Sequence, residues 1–229
     1  MLQSTPVLHH TLLKHILCLC LLGLVTVVQG YVIIDDRRTL HGNDTAVSFS
    51  GRAARAVVYK KCTVPKTAAI TFDDGPYDYM YTIGATLKKA GAKGTFFFNG
   101  NNFGCIYAPD NVERVKYAYS QGHQVASHGW SHQYLTNLSA SQIRTEMALV
   151  DQALRKIIGV TPAFMRPAYG EYNSLVEQVA TERGQSLVIW DFDSGDATGA
   201  SVSQQKTAFA NLVKKHPSNV LTVNHETHW

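Results

Sequence analysis

Two adjacent carboxylates, Asp73 and Asp74, directly follow an apolar segment and precede the dipeptide Gly75-Pro76. Neighbouring like charges repel each other, so the pair indicates a partner of opposite charge. A bound metal ion can take one carboxylate as a ligand and leave the other free as a general base. Two solvated acids in a turn are the structural alternative, and the sequence DDGP alone does not separate the two interpretations.

The segment HGWSH places His128 and His132 four residues apart, so that both imidazoles can face one point from a helical turn or a tight loop. Two histidines and one carboxylate, with open positions left for water, form a catalytic zinc arrangement. Zinc lowers the pKa of bound water towards about 7 and polarises a carbonyl group. An isolated pair at this spacing more often consists of surface histidines. Its position after a predicted strand, opposite the acidic pair, favours metal ligation.

The elements that must position these residues alternate along the chain. Strands are predicted at 68–72, 94–99, 123–127, 162–165, 186–190 and 219–223. Helices are predicted at 79–90, at 110–120 with Asp110 as a cap, between a Ser139–Gln142 capping box and Gly159, at 173–183 and at 202–215. This alternation indicates parallel βα units of the α/β class, and six strands in one domain favour a barrel-like sheet.

The residues that follow the predicted strands are mostly ionisable. In parallel βα folds the carboxyl ends of the strands meet at one edge, and active sites form there. The sequence therefore predicts one polar site at this rim, built from Asp73, Asp74, Asn99, His128, His132, Arg166, Asp191, Asp193, Asp196, His225, Glu226 and His228.

The composition is that of an ordinary globular protein. The chain has 229 residues, 45% hydrophobic and 17% charged, which predicts one domain with a sizeable core. A net charge of +4 without blocks of lysine or arginine gives little support for nucleic-acid binding. We expect a monomer with no obligate protein partner.

Residues 1–30 are predicted to be a secretory signal peptide. Lys14 precedes an apolar run that is too short for a comfortable transmembrane helix, and small residues follow it. An uncleaved membrane anchor is the alternative. We expect residues 31–56 to form a flexible or processed segment and residues 57–229 to form the functional domain. The signal predicts a secreted protein, extracellular or in the cell wall.

Cys62 and Cys105 are the cysteines that remain once the signal is removed. In an oxidising compartment they can pair with each other, or one can pair with a cysteine that this chain lacks. Asn43 and Asn137 begin glycosylation sequons, which fit a secreted protein.

Five motifs occur in the order TFDDGP (71–76), SHGWSH (127–132), RPAYG (166–170), DSGD (193–196) and LTVNHETH (221–228). From about Cys62 to its last residue, the chain resembles the NodB-homology polysaccharide deacetylases of carbohydrate esterase family 4. It is most similar to the fungal chitin deacetylases of that family. The resemblance implies a distorted (β/α) barrel and metal-dependent hydrolysis of N-acetyl groups on glucosamine polymers.

The resemblance also implies roles for single residues. Asp73 would be the general base, held in place by Arg166, and His225 would be the general acid, oriented by Asp196. The backbone N–H of Tyr169 would help to stabilise the tetrahedral oxyanion. Zinc is the usual ion, with Co²⁺ or another divalent metal as alternatives, and its ligands would be Asp74, His128 and His132.

Chitin and chitin oligomers are the substrates that the resemblance favours, with Trp130 and Tyr169 as candidate stacking surfaces for sugar rings. Peptidoglycan and acetylxylan are alternative substrates, because the site chemistry is the same. A catalytically weak glycan-binding protein is the alternative outside the enzymes.

Four departures from the family pattern stand out. Ala168 replaces a proline, Gly129 a serine or threonine, and Ala197 a tryptophan that forms one wall of the acetyl pocket. The chain stops at Trp229, whereas family members usually continue through another helix, a strand and often a cysteine. We therefore expect a domain without its closing helix and strand, and a chain ending at Trp229 to express poorly or aggregate.

Overall fold

A computed structural model describes residues 56–228. The strands are β1 (Val58–Tyr59), β2 (Thr67–Ala69), β3 (Thr71–Asp73), β4 (Thr95–Phe98), β5 (Gln124–Ser127), β6 (Phe164–Met165), β7 (Ser186–Val188), β8 (Phe192–Asp193) and β9 (Asn219–His225). The helices are α1 (Met80–Lys89), α2 (Pro109–Ser120), α3 (Ala140–Ile158), α4 (Ser174–Glu182) and α5 (Val202–Lys214). Short 3₁₀ turns cover Leu135–Asn137, Ala168–Gly170 and Asp196–Thr198.

The strands form one parallel sheet in the order β1-β7-β6-β5-β4-β3-β9-β2, with β8 also paired to β9. The sheet curves into a half-barrel of the kind that the sequence predicts, and β1 and β2 are its two edges within residues 56–228. The predicted strand 68–72 is split, because Ile70 lies between β2 and β3. β1 and β8 were not predicted, since two residues are too few to show an alternating pattern.

The helix ends agree closely with the expected capping residues, with one exception. The Ser139–Gln142 capping box opens α3, and Gly159 closes it with a φ of 77°. The prediction that Asp110 caps α2 is wrong. The N-cap is Ala108, which makes no side-chain hydrogen bond, and Pro109 begins the helix. The ring of proline already fixes a helical φ at this position, so Asp110 falls within the first turn.

The core lies on both faces of the sheet around β4. Phe96 and Phe98 pack into an apolar cluster with helices α1, α2 and α3, whereas Phe97 points to the inner face towards Val188 and Leu221. All three rings are buried. A parallel strand covered on both faces needs such a continuous apolar run. Each buried ring contributes roughly 1.5–3 kcal/mol to folding.

Several sequence predictions concern residues 1–55, which lie outside the described residues; among them are the signal peptide, the alternative anchor and the Asn43 sequon. Within residues 56–228, no helix has the length and apolarity needed to cross a membrane. Asn137 is exposed at the end of a 3₁₀ turn. Cys62 and Cys105 are not bonded to each other, because the Cys62 thiol contacts the carbonyl oxygen of Val220 at 3.1 Å while Cys105 is exposed in a loop.

Candidate active site

The predicted polar residues meet at the carboxyl end of the half-barrel. Asp73 is the last residue of β3, and His225 is the last of β9; the two are direct partners in the parallel ladder. His128 follows β5 and Arg166 follows β6, whose last residues also pair with each other. Register between neighbouring strands therefore sets the spacing of the rim.

Asp74, His128 and His132 form a cluster suited to a metal ion. Asp74 Oδ1 lies 3.2 Å from His132 Nε2 and 3.6 Å from His128 Nε2. One ligand atom from each residue falls within 4.8 Å of the other two. Two ligands bound tetrahedrally to zinc at about 2.0–2.1 Å lie roughly 3.3 Å apart, so this donor set fits such an ion.

A backbone hydrogen bond on the side away from Asp74 fixes the orientation of the His128 ring. Its Nδ1–H donates to the carbonyl oxygen of Arg166 at 2.7 Å, which leaves Nε2 facing Asp74. Such a backbone partner sets the tautomer and ring orientation of a metal-binding histidine. Asn102, which the sequence did not single out, donates from Nδ2 to Asp74 Oδ1 at 3.3 Å and to Asn99 at 3.2 Å.

The protonation of His132 also suits metal binding. Burial lowers the pKa of His132, and the neighbouring His128 lowers it further, against the opposing effect of Asp74 and Asp73. A histidine must be neutral to ligate a metal ion. The net lowering therefore favours the ligating form of His132 near neutral pH.

The loop that carries the two histidines is tight. Ser131 donates from its backbone N–H and its hydroxyl to the Glu146 carboxylate at 2.8 and 2.6 Å, which anchors the loop to α3. Gly129 has a φ of 79°, a conformation that costs glycine little, so the departure from serine or threonine at this position suits the backbone.

Asp73 is held by a buried arginine. Arg166, with 0% of its surface exposed, donates from Nη1 to Asp73 Oδ1 at 2.7 Å and to Thr71 Oγ1 at 2.6 Å. Its other guanidinium nitrogens donate to the carbonyl oxygens of Val188 and Ile189. The second carboxylate oxygen, Asp73 Oδ2, lies 3.7 Å from His128 Nε2 and thus faces the cluster of Asp74, His128 and His132.

His225 and Asp196 form a second polar pair. His225 Nδ1 lies 2.9 Å from Asp196 Oδ1, and the His225 backbone N–H donates to Asp196 Oδ2 at 2.7 Å. Burial lowers the pKa of His225, but the hydrogen bond to Asp196 and the charges of Asp73, Asp196 and Asp74 outweigh it, so the pKa is raised. The pair favours a charged imidazolium whose Nε2 remains for proton transfer.

Three residues of the site have left-handed backbone conformations that residues other than glycine rarely adopt. Asp74 has a φ of 72°, His132 of 54° and Tyr169 of 62°. Each costs of order 1–3 kcal/mol and persists only where the surrounding structure enforces it. Such strain clusters at functional sites, and here it coincides with three of the residues predicted from the motifs.

Exposed aromatic rings lie on two sides of the cluster. Tyr169 is 50% exposed, stacks on Tyr134 with 3.8 Å between ring centroids, and lies 4.7 Å from His132. On the side of His225, Phe103 is 48% exposed and contacts the rings of Tyr77 and His228 at 5.6 and 6.3 Å. The sequence did not single out Tyr134 or Phe103.

The other rim residues predicted from the sequence have structural contacts. Trp130, a candidate stacking surface for sugar rings, is half-buried against the apolar cluster around Phe96, and its ring lies where a side chain at Gly100 would be. Asp191 accepts a hydrogen bond from the Leu221 N–H, and Asp193 accepts one from the Gly195 N–H.

The parallel half-barrel and the arrangement of its strand-end motifs are those expected of the polysaccharide deacetylase family. The family model for polysaccharide deacetylases matches residues 60–188, and the chain belongs to that family.

The chain is similar in sequence to chitin deacetylases from fungi. A chitin deacetylase of Pestalotiopsis sp is 40% identical over 135 residues, which cover 59% of this chain and 45% of the relative. A chitin deacetylase of Arthroderma benhamiae is 36% identical over 173 residues, covering 75% of this chain and 46% of the relative. The chain thus spans slightly less than half the length of these relatives.

Solved structures share the fold. The chitin deacetylase of Colletotrichum lindemuthianum superposes with a TM-score of 0.71 at 24% identity, covering 76% of this chain and 80% of that one. A family 4 carbohydrate esterase from Streptomyces lividans, solved in complex with acetate, gives 0.61 at 31% identity, with 69% and 78% covered.

Proposed function

We propose that the protein is a metal-dependent deacetylase that removes N-acetyl groups from chitin or chitin oligomers and releases acetate. One observation carries the proposal. The rim brings together a carboxylate fixed by Arg166, a cluster around Asp74 that is suited to a metal ion, and the His225 imidazole hydrogen-bonded to Asp196. Hydrolysis of an amide needs an activated water, a stabilised oxyanion and a proton for the departing amine, and these groups match those needs.

We propose that Asp74, His128 and His132 hold a divalent ion, with zinc best suited to two imidazoles and one carboxylate. When bound, such an ion supplies Lewis-acid activation of water and of the acetyl carbonyl group. The ligand preferences of Co²⁺ are close to those of Zn²⁺, so Co²⁺ can serve as a probe of this site.

The proton transfers are assigned to two residues of this chain. Asp73 takes a proton from the attacking water as the new C–O bond forms, and Arg166 keeps that carboxylate oriented. His225 gives its proton to the amide nitrogen as the C–N bond breaks, which yields acetate and a free amine. Asp196 holds the imidazole for this transfer, and the backbone N–H of Tyr169 supports the oxyanion.

The substrate class rests on relatives and on the surface beside the site. Both relatives described above are chitin deacetylases, and the exposed rings of Tyr169, Tyr134 and Phe103 are suited to the apolar faces of sugar rings. Peptidoglycan is the second candidate, since a probable peptidoglycan-N-acetylglucosamine deacetylase of Arthroderma benhamiae is 39% identical over 140 residues. We also propose secretion, on the basis of the apolar segment within residues 1–30.

Acetate release tests the proposal. The protein is incubated with chitin oligomers, peptidoglycan and acetylxylan, first as prepared, then after chelation, and then with Zn²⁺ or Co²⁺ restored. We expect release from chitin oligomers that chelation abolishes and metal restores. Release only from peptidoglycan or acetylxylan would show that chitin is not the substrate and would assign that polymer instead. If no polymer releases acetate and the protein binds chitin tightly, the enzyme proposal is wrong and the protein is a glycan-binding protein.

A further inference from the structure

Glu226 follows His225 directly, but its side chain turns away from the rim. The sequence predicts it among the polar residues at the strand ends, whereas in the structure it is 0% exposed. A carboxyl group is almost never buried completely unless something requires it there. The contacts of Glu226 show what it serves.

The side chain lies beneath the turn that carries the acidic pair. Glu226 Oε1 accepts a hydrogen bond from the Tyr77 N–H at 2.7 Å. The Glu226 N–H donates to the Asp73 carbonyl oxygen at 3.3 Å. On the other side of the same turn, the Asn99 N–H donates to the Gly75 carbonyl oxygen at 2.8 Å. The backbone between Asp73 and Tyr77 is therefore fastened at both of its ends by Glu226.

Gly75 is matched to this carboxyl group. A Cβ atom added at Gly75 would lie 1.7 Å from Glu226 Oε1 and 2.3 Å from its Cδ. Gly75 has no left-handed φ, so the requirement for glycine comes from this close approach and not from backbone conformation. The turn and the carboxyl group thus fit only as a pair.

The charge state of Glu226 fits its position near two other acids. No ion pair to Glu226 occurs within residues 56–228, and Oε2 has no hydrogen-bond partner there. Burial raises the pKa of Glu226 to about 8, against the opposing effects of the Tyr77 N–H and Arg114. A neutral carboxyl group can hold the turn without adding a third negative charge beside Asp73 and Asp74.

We propose that Glu226 is a positioning residue. It fixes the turn 73–77 so that the Asp73 carboxylate faces Arg166 and the Asp74 carboxylate faces the two histidines. The proposal rests on the function proposed above, since that function gives the two aspartates their roles. Because Glu226 adjoins His225 on β9, it also ties the position of the general base to that of the general acid.

Two substitutions at one position separate hydrogen bonding from packing. Glu226→Gln keeps an oxygen for the Tyr77 N–H and nearly the same volume, whereas Glu226→Met keeps the volume but removes the acceptor. Metal affinity is measured by competition with a chromophoric chelator, using Co²⁺ and Zn²⁺ alone. Turnover of chitin oligomers is measured as kcat and KM, and the melting temperature reports folding.

We expect Glu226→Gln to stay close to wild type in metal affinity and kcat. Glu226→Met should lose about 10–100-fold in metal affinity, the usual effect of removing a group that supports ligands. Its kcat per folded, metal-loaded molecule should fall while KM stays unchanged. Dividing the rate by the folded fraction from the melting curve separates this effect from a general loss of stability. A folded Glu226→Met protein that binds metal and turns over like wild type would overturn the proposal.

Gly75→Ala provides an independent test, because it introduces the clash without touching Glu226. We expect Gly75→Ala to impair metal affinity as Glu226→Met does. In the double variant Gly75→Ala/Glu226→Ala, the effects of Gly75→Ala and of Glu226→Ala, each measured alone, should not add, since both act on the same contact. Additive effects would contradict a matched pair.

Hydrogen exchange at the Tyr77 amide of the wild-type protein decides the matter if Glu226→Met does not fold. We expect slow exchange at this amide in the wild type and in Glu226→Gln, which keeps the acceptor. Fast exchange in the wild type would overturn the proposal. If the wild type binds metal but releases no acetate, the proposed function fails, and metal affinity still judges Glu226. If the wild type binds no metal, exchange at the Tyr77 amide is the measurement that tests the role of Glu226.

Discussion

Asp73 and Asp74 are neighbours in sequence, yet their carboxylates have different partners. Asp73 Oδ1 accepts from Arg166 Nη1 at 2.7 Å, whereas Asp74 Oδ1 lies 3.2 Å from His132 Nε2. The left-handed φ of 72° at Asp74 turns the backbone between them. One carboxylate thus meets a buried cation, and the other joins the two imidazoles.

Asp73→Asn should abolish turnover while leaving metal binding intact. Loss of a general base lowers the rate by about 10²–10⁴-fold. The change also leaves the buried Arg166 without its counter-charge, which costs roughly 3–5 kcal/mol of unfolding free energy. Acetate release and urea unfolding measure the two effects. Asp193→Asn, the same substitution at an exposed carboxylate of the rim, is the matched control. An active Asp73→Asn protein would disprove the role of Asp73.

Asp74→Ala should lose metal affinity itself. Removing a ligand should cost more than the roughly 10–100-fold of a supporting residue. Asn102→Ala should fall within that smaller range, because Asn102 only donates to Asp74 Oδ1. Titration with Co²⁺, followed by its absorption spectrum, ranks the variants. Equal affinities for Asp74→Ala and wild type would remove Asp74 from the ligand set.

Asp196→Asn should move the alkaline limb of the kcat/KM profile to lower pH. His225 acts as an acid only while protonated, so activity falls as pH rises through its pKa. Burial lowers that pKa and the Asp196 carboxylate raises it, so removing the carboxylate leaves burial with less opposition. Rates on a soluble chitin oligomer across pH give the shift. An unmoved alkaline limb would show that His225 is not the titrating acid.

Phe103→Ala should weaken the binding of longer oligomers. Its exposed ring lies beside Tyr77 and His228, and an aromatic contact of this kind is worth about 0.5–1.5 kcal/mol. KM should therefore rise by roughly 2–12-fold with little change in kcat. Tyr107→Ala, which removes an exposed ring packed near Trp130, is the comparison. If KM is the same for wild type and Phe103→Ala at every chain length, the ring does not bind sugar.

Glu226→Gln should become more stable than wild type as pH rises. Glu226 keeps its proton up to a pKa of about 8 in the folded state but releases it near 4.5 when unfolded. Between these values the unfolded state binds fewer protons, so the free energy of unfolding of the wild type falls with pH. Glutamine lacks this dependence. The gain at pH 8 over pH 5 is at most about 3–4 kcal/mol by urea unfolding. Equal pH dependence of the two proteins would place the Glu226 pKa near its ordinary value.

Much of the fold was predictable from the sequence because its helices have strong local signals. The apolar stripe and capping box of α3 fix both of its ends, and the run TFFF is apolar enough to identify a doubly covered strand. The two-residue strands β1 and β8 carry no such pattern. They form because long-range pairing with β7 and β9 supplies their hydrogen bonds.

The candidate site was predictable as far as strand ends position residues. Asp74, His128 and His132 come together because β3 and β5, the strands before them, are both paired with β4. Side-chain direction in the loops was not predictable. The inward turn of Glu226 and the stacking of Tyr134 on Tyr169 depend on contacts between segments far apart in sequence.

The pairing of Asp73 with His225 in the ladder of β3 and β9 sets an order of events during folding. β9 lies between β3 and β2 in the sheet, so the rim is incomplete until that strand inserts. Contacts between residues so distant in sequence form slowly, because a long loop must close first. A chain emerging from the ribosome presents Asp74, His128 and His132 well before His225. The chemistry proposed for the site therefore requires β9 to be paired with β3.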